Sequence, residues 1–286
     1  MPIYKTEDLK YATVKINTEN IDGSLSSGTG FIVNLAESER DGKYMSVPVI
    51  VTNKHVVEGA VKGLVRFHAS TREKEIVGQC EYIVDDFEKQ FYLHPNEDVD
   101  LCAMPIAPLY TLAAKDKIQP YYKSFSMKQV INKEGFQNLT PAQDILAVGY
   151  PNGLWDSTNN LPIFRKGIIS TVPSIDYMGK EQFLIDCGIY PGSSGSPVFK
   201  TEQKINIETG DLFESINLIG IVFATYNHNA QGQMAITKIA TNPVNTMVPN
   251  HLGLVIKSTR LFELDEIIER AYKDTPVYDT TIAFEK

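Results

Sequence analysis

The sequence has few cysteines, no apolar segment at its amino end and no long hydrophobic run. Cys80, Cys102 and Cys187 are an odd number without a CxxC pair, which favours free thiols in a reducing compartment over a disulfide framework. Residues 1–10 contain no apolar stretch of the kind a secretory signal needs, and runs such as LIGIVFA (218–224) are too short to cross a bilayer. We therefore expect a cytoplasmic protein with no membrane partner.

An excess of positive charge is also missing. The chain has 27 Lys and Arg against 35 Asp and Glu, a formal net charge of −8 and a pI of about 5.2. Such a chain is not expected to bind phosphate backbones or anionic lipid surfaces, so we predict no nucleic-acid partner. Its histidines and cysteines show no metal-ligand spacing, and no metal site is expected.

Short β-favouring runs separated by Gly, Asn, Asp and Pro make up most of the chain. The first half contains six of them, YATVKIN, GTGFIVN, VPVIVTN, KGLVRFH, EIVGQCEYIV and DLCAMPI. The second half contains six more, DILAVGY, IFRKGIISTV, EQFLIDCGIY, SPVFK, LIGIVFATY and HLGLVIKS. Because six strands suit a small closed barrel, we predict an all-β fold of two six-stranded antiparallel β-barrels.

The strand pattern divides the chain into three segments. Residues 1–107 are predicted to form the N-terminal barrel, and residues 144–286 the C-terminal barrel with a closing helix and a tail. Between them, residues 108–143 mix Lys-rich and helical-looking pieces, which are typical of a connection between barrels.

One helix is predicted near the end of the chain, in the stretch RLFELDEIIERAYKD. Ser258 or Thr259 is expected to cap its amino end. Apolar residues recur along one face, as in a helix that packs against the rest of the fold; they are Leu261, Leu264, Ile267, Ile268 and Ala271.

The stretch PGSSGSP, from Pro191 to Pro197, has two interpretations. Gly, Ser and Pro are the usual residues of a flexible turn. The same residues would also form a nucleophile loop, in which glycines let backbone N–H groups point at a developing oxyanion. The stretch alone does not decide between them, and it leaves both Ser193 and Ser194 as candidate nucleophiles.

A nucleophilic serine needs a base and an acid that orients the base. His55 follows the apolar strand VPVIVTN, where a fixed backbone can aim its imidazole. The other four histidines fit structural or exposed positions; they are His68, His94, His228 and His251. Asp100 directly precedes an apolar run, whereas Asp98 resembles a solvated loop acid. On its own Asp100 is also typical of a strand cap or turn, but a buried carboxylate needs a partner, and a His Nδ1–H is a suitable one.

These residues occur in a family pattern that runs from about Tyr11 to Tyr272. Seven stretches follow one another in the order found in trypsin-like (chymotrypsin-fold) serine peptidases: SGTGFIV, VIVTNKHVV, DVDLCAM, AVGYPNGL, KGIIS, PGSSGSP and LIGIVFA. Each stretch is a weak signal, but seven in register are a strong one. The chain therefore resembles this family, and most of all the bacterial branch that includes the high-temperature-requirement proteases.

The resemblance implies a role for each candidate. It makes His55 the general base, Asp100 the orienting acid and Ser194 the nucleophile, in a chain order known for such triads. The oxyanion hole would be the backbone N–H groups of Gly192 and Ser194. Gly195 would then allow close packing behind the nucleophile.

The sequence departs from the family in three places. Ser196 stands where a second glycine usually follows the nucleophile, a small change that we expect to be tolerated. Ser193 stands where the digestive enzymes carry an aspartate that receives a freshly cut amino terminus, so activation by that route is not expected. After Tyr272 too little chain remains for the peptide-binding domain of the high-temperature-requirement proteases.

The resemblance also locates a specificity pocket. Its floor would be the residue six before the nucleophile, Gly188, and its walls would be formed by Ile189, Tyr190, Phe223, Ala224 and Thr225. Because none of these is charged, we predict an uncharged, small or apolar residue at P1. The substrate class is protein or peptide, bound as an added strand, and no cofactor is implied.

The leading hypothesis is a serine endopeptidase that acts through His55, Asp100 and Ser194. The alternative is a catalytically silent or partner-activated relative that binds peptides on the same fold, with a regulatory protein partner ordering the loop from Pro191 to Ser194. A non-peptide acyl hydrolase is disfavoured because the G-x-S-x-G elbow and the strand–helix alternation of that class are missing.

Overall fold

The computed structural model describes residues 5–40, 42–113, 118–206, 210–236 and 239–273. The strands of the first half are β1 Thr13–Asn20, β2 Leu25–Arg40, β3 Lys43–Thr52, β4 Ala60–Ser70, β5 Ile76–Asp85, β6 Tyr92–Leu93, β7 Cys102–Pro105, β8 Gln119–Tyr121 and β9 Phe125–Ser126. Those of the second half are β10 Asp144–Gly149, β11 Ile163–Ile169, β12 Gln182–Asp186, β13 Pro197–Ile205, β14 Leu212–Ile236 and β15 Ile239–Lys257.

Helices are short and lie mainly at strand ends. The α-helices are α1 Lys54–Val57, α2 Ala107–Ala113, α3 Lys133–Phe136 and α4 Leu261–Tyr272. Short 3₁₀ helices cover Thr6–Tyr11, Phe87–Gln90, Met127–Gln129, Pro151–Gly153 and Ser258–Arg260. None of the helices in the described ranges is long and apolar enough to cross a membrane.

The prediction of an all-β fold with two barrel-like halves and a C-terminal helix is confirmed. The second half is a closed barrel of six strands in the order β10-β11-β12-β15-β14-β13. The first half is a sheet in the order β5-β4-β1-β2-β3-β7-β6, with β8 added to β4 and β9 added to β2. It therefore has nine strands instead of six, because three short strands join the six predicted ones.

The predicted connection between the barrels contributes to the first sheet. Within residues 108–143, β8 pairs with the end of β4, and β9 pairs with β2 in parallel. Strands of three and two residues are too short to show the alternation on which strand prediction depends. The segment boundaries themselves stay a prediction.

The two halves share one hydrophobic core. The rings of Phe125 and Phe199 stack across it with centroids 4.9 Å apart. Fully buried side chains from both halves belong to the same cluster, among them Phe31, Val51, Leu101, Leu218 and Leu264. Burial of each such side chain contributes about 2 kcal/mol, so the relative position of the two halves is held by packing.

Helix α4 forms where it was predicted, but its predicted cap is wrong. A 3₁₀ turn, Ser258–Arg260, leads into the helix, and neither candidate side chain caps it. Ser258 Oγ donates instead to the Ile131 carbonyl, and Thr259 Oγ1 donates to Glu181. Leu264 and Ile268 are fully buried on the predicted apolar face.

Strands β14 and β15 extend beyond the predicted runs. Their pairing continues from Thr225 and Gly253 of the barrel to Ile236 and Ile239. This extension contains Asn, Gln, Gly and Pro and lacks a clear apolar alternation, which is why no strand was predicted there.

Candidate active site

Antiparallel pairing brings the end of β3 beside the start of β7. Thr52, the last residue of β3, lies opposite Cys102, the first residue of β7. Asn53, which follows β3, therefore lies beside Asp100, which precedes β7. Asn53 Nδ2 donates to the Asp100 carbonyl oxygen at 2.7 Å. The sheet thus places α1, which carries His55, directly against Asp100.

His55 and Asp100 make two hydrogen bonds. Asp100 Oδ1 accepts the backbone N–H of His55 at 3.1 Å, and Oδ2 lies 2.5 Å from the ring Nδ1. Because a carboxylate only accepts, Nδ1 carries the proton and Nε2 is left with its lone pair. Among the described residues Nε2 has no hydrogen-bond partner, and the side chain is 44% exposed, so the ring can accept a proton from a bound molecule.

The turn that contains Ser194 is held by Thr29 of the first sheet. The Thr29 N–H donates to the Ser194 carbonyl at 2.8 Å, and its Oγ1 donates to the Gly192 carbonyl at 3.0 Å. The Thr29 carbonyl in turn accepts from Thr52 Oγ1 at 2.8 Å. Since Thr52 ends the strand that precedes His55, the turn lies at the same end of the first sheet as the His55–Asp100 pair.

The two candidate serines differ in their surroundings. Ser193 is buried, and its Oγ accepts the N–H of Tyr190 at 3.3 Å. Ser194 is only partly buried, and no hydrogen bond engages its hydroxyl within the described part of the chain. The stretch PGSSGSP alone left both serines as candidate nucleophiles. The fold distinguishes them, because the Ser193 hydroxyl is buried and the Ser194 hydroxyl is accessible.

Backbone N–H groups of the turn alternate between used and unused. Ser193 donates to Tyr190 at 2.9 Å and Gly195 donates to Val222 at 2.8 Å. Over the described residues, the N–H groups of Gly192 and Ser194 have no such acceptor. The Pro191 carbonyl accepts from Asn152 at 2.5 Å, and a trans peptide then directs the Gly192 N–H to the opposite side.

Two glycines allow this turn to form. Gly192 and Gly195 both have φ of +86°, a left-handed region that residues with a Cβ rarely adopt. A Cβ on Gly192 would also lie 2.6 Å from the Tyr150 carbonyl oxygen, and one on Gly195 would overlap the Thr29 carbonyl. The turn therefore requires glycine at both positions.

We expect Gly195→Ala to lower the free energy of unfolding by at least about 3 kcal/mol, because left-handed strain and overpacking add. Urea unfolding followed by circular dichroism measures the change. Gly179→Ala is the matched control, since Gly179 has φ of +73° and nothing within 4 Å of its Cβ position. Gly179→Ala should lower the free energy of unfolding by only about 1–2 kcal/mol. Equal costs for the two variants would contradict close packing behind Ser194.

The predicted pocket segments come together along β15. Gly253 of β15 pairs with Thr225 of β14, and a Cβ on Gly253 would lie 2.7 Å from Ile189 Cγ1. Ile189 is buried and Tyr190 is partly exposed. Beyond Ile221, β14 has no ladder pairing with β13, so the edge from Phe223 to Thr225 is open on that side within the described residues.

Sequence reasoning missed Thr29 and Arg165. Arg165 lies on β11 opposite Ala147, and its guanidinium occupies the space that a Cβ on Gly188 would need. Neither residue is near Ser194 in sequence. Thr29 lies in the stretch SGTGFIV, but nothing in that stretch indicates a contact with the Ser194 turn, and Arg165 lies in none of the seven family stretches. A metal would need a group of His, Cys, Asp or Glu side chains, and no group of three or more is present over the described ranges.

Comparison with known proteins gives a family and several similar structures. A family model described as a trypsin-like peptidase domain matches residues 28–205, a range that includes His55, Asp100 and Ser194. No curated protein matches the sequence.

Three solved structures illustrate the likeness. The HtrA-type protease AlgW with tripeptide is 18% identical with a TM-score of 0.45, over 94% of this chain and 62% of that chain. The Rv3671c protease from M. tuberculosis, active form, is 15% identical with a TM-score of 0.44, over 88% of this chain and 78% of that chain. A scabies mite inactivated protease paralogue is 13% identical with a TM-score of 0.49, over 92% and 98% of the two chains.

Proposed function

Because this chain belongs to the trypsin-like peptidase domain family, we propose that it is a serine endopeptidase whose triad is His55, Asp100 and Ser194. The observation that carries the proposal is the hydrogen bond of 2.5 Å between His55 Nδ1 and Asp100 Oδ2. It holds the imidazole in the tautomer that a general base needs, with Nε2 free to accept a proton.

The proposed reaction proceeds through an acyl-enzyme. Ser194 Oγ attacks the scissile carbonyl while His55 Nε2 takes its proton. The free N–H groups of Gly192 and Ser194 donate to the oxyanion that forms, and His55 then protonates the leaving amine. Water activated by His55 hydrolyses the acyl-enzyme and regenerates Ser194.

Substrate recognition follows from the open edge of β14. An extended peptide that pairs with the backbone from Phe223 to Thr225 would continue the barrel sheet, which gives affinity with little dependence on sequence. A protein or peptide in extended form is therefore the proposed substrate. The predicted cytoplasmic location stays a prediction.

Activity without a partner is favoured over activation by one. The Asn152 N–H holds the Pro191 carbonyl and Thr29 Oγ1 holds the Gly192 carbonyl. Both contacts lie within this chain, so the loop from Pro191 to Ser194 needs no second protein to orient its N–H groups. A regulatory partner that acts at another surface stays a prediction.

A fluorophosphonate probe tests the proposed function. We expect the purified wild-type protein to be labelled at one site, on the peptide that contains Ser194, because His55 activates that hydroxyl. Mass spectrometry of the digested protein locates the label. His55→Ala should remove labelling, and His251→Ala is the control that should keep it. A folded wild-type protein that takes up no label would refute the proposal.

A further inference from the structure

The pocket predicted from the sequence contains a charge that the sequence did not indicate. A Cβ on Gly188 would lie 2.6 Å from Arg165 Cζ and 2.9 Å from Nε. The guanidinium therefore occupies the space into which a side chain of residue 188 would project. It reaches there from β11, a strand that pairs with β10 and β12 in the barrel wall.

The aromatic ring of Tyr190 holds the guanidinium on one side. Arg165 Cζ lies 5.2 Å from the centroid of that ring, a distance at which cation–π attraction operates. Because Tyr190 belongs to the wall segment that leads to the Ser194 turn, this contact ties the cation to the predicted pocket.

Within the described residues Arg165 has no anionic partner. Lys166, its neighbour on the outer face of β11, pairs with Asp144 Oδ2 at 2.7 Å, but no carboxylate pairs with Arg165. Asp186 is near in sequence, yet it is exposed and lies opposite Ile168 in the sheet. A partly buried guanidinium without a counter-ion is unfavourable, so the position suits an anion that arrives with a ligand.

The charge of Arg165 also reaches the strand below the pocket. Burial raises the pKa of the Cys187 thiol, and the positive charge of Arg165 partly offsets this effect. The negative charge of Asp186 acts in the opposite direction. Arg165 therefore contributes a positive charge beside Cys187, the residue that directly precedes Gly188.

We propose that Arg165 selects an acidic side chain at P1, so that the enzyme cleaves after Asp or Glu. The inference rests on the proposed peptidase function and replaces the prediction of an uncharged P1 residue, which considered only Gly188, Ile189, Tyr190 and the segment Phe223–Thr225. A guanidinium presents paired N–H donors that match the two oxygens of a carboxylate. The P1 carboxylate supplies the anion that the described residues of the barrel do not provide.

Quenched fluorescent decapeptides that differ only at P1 test the proposal. We expect kcat/KM for P1 Glu or Asp to exceed that for Gln, Ala or Lys by roughly 10- to 100-fold, the usual range for a hydrogen-bonded charge. Arg165→Gln should abolish the preference for Glu over Gln. Lys166→Gln, which removes the neighbouring outward cation, should leave it unchanged.

A binding measurement keeps this test independent of catalysis. In Ser194→Ala protein, fluorescence anisotropy should show tighter binding of the Glu decapeptide than of the Gln decapeptide, and the added Arg165→Gln change should remove the difference. Fluorophosphonate labelling with equal hydrolysis of Glu and Gln peptides would overturn the inference alone. Without labelling or hydrolysis the peptidase proposal fails, and the anisotropy still decides the role of Arg165.

One further outcome would overturn the assignment. If the wild-type enzyme cleaves only after Gly or Ala, and Arg165→Ala adds cleavage after larger apolar residues, then the guanidinium fills the pocket and excludes side chains. Acidic selection requires instead that Arg165→Ala lowers kcat/KM for the Glu peptide.

Discussion

Replacement of Ser194 by alanine is expected to lower kcat for peptide hydrolysis by about 10⁶-fold, the scale on which serine hydrolases lose activity with their nucleophile. The reason is structural as well as chemical. Ser194 has the accessible hydroxyl of the turn, and its own N–H is one of the two unused N–H groups. Initial rates on a quenched peptide, with circular dichroism to verify folding, measure the effect.

Ser193→Ala is the matched control for this prediction. The Ser193 hydroxyl is buried and accepts the Tyr190 N–H, so its loss should cost about 1 kcal/mol of stability and less than about tenfold in rate. If Ser193→Ala removed activity from a folded protein while Ser194→Ala kept it, the assignment of the nucleophile would be wrong.

Asp100→Asn is expected to lower kcat by about 10⁴-fold, the loss known for this change in another serine peptidase. Asp100 Oδ1 accepts the backbone N–H of His55, and Oδ2 faces the ring Nδ1. An asparagine that keeps its oxygen on the N–H must turn its amide nitrogen toward Nδ1. That nitrogen donates, so the ring would carry its proton on Nε2 and could not accept one from Ser194.

Asp98→Asn is the control for that change. Asp98 is an exposed carboxylate two residues earlier, and its removal changes the net charge by the same amount. We expect kcat to change less than twofold, because the exposed carboxylate of Asp98 is screened by solvent and the hydrogen bonds to His55 come from Asp100. A comparable loss of kcat in both variants would mean that Asp100 acts through the general field of the site and not through the ring.

The sequence predicted most of the strands because alternating apolar residues report which face of a sheet is buried. It did not predict β6, β8 and β9, which are too short to alternate, or the extension of β14 and β15. The cap of α4 was misassigned because Ser258 and Thr259 have the right side chains for capping but donate to partners that only the tertiary fold provides.

For the candidate site, residue types and strand ends favoured His55 but left Asp100 open as a strand cap, and the family resemblance assigned their roles. The structure places the two in hydrogen-bond contact. The choice between Ser193 and Ser194 needed the family resemblance, because local sequence does not reveal which hydroxyl is buried. The position of Arg165 beside Gly188 could not be predicted. Its position depends on which strand neighbours Gly188 in the closed barrel, a property of topology and not of spacing along the chain.

Thr29 has a consequence for the order in which a new molecule is assembled. Its N–H, Oγ1 and carbonyl oxygen are all engaged, and two of these groups hold carbonyls of the Ser194 turn. A ribosome completes β2 long before it reaches residue 194, and the amino-terminal part of a chain generally folds first. The turn therefore receives the two hydrogen bonds that Thr29 donates from a sheet that is already in place. In a nascent chain with an incomplete first sheet, Thr29 is not in place to hold the Ser194 turn. Peptide cleavage would therefore begin only once both halves are folded.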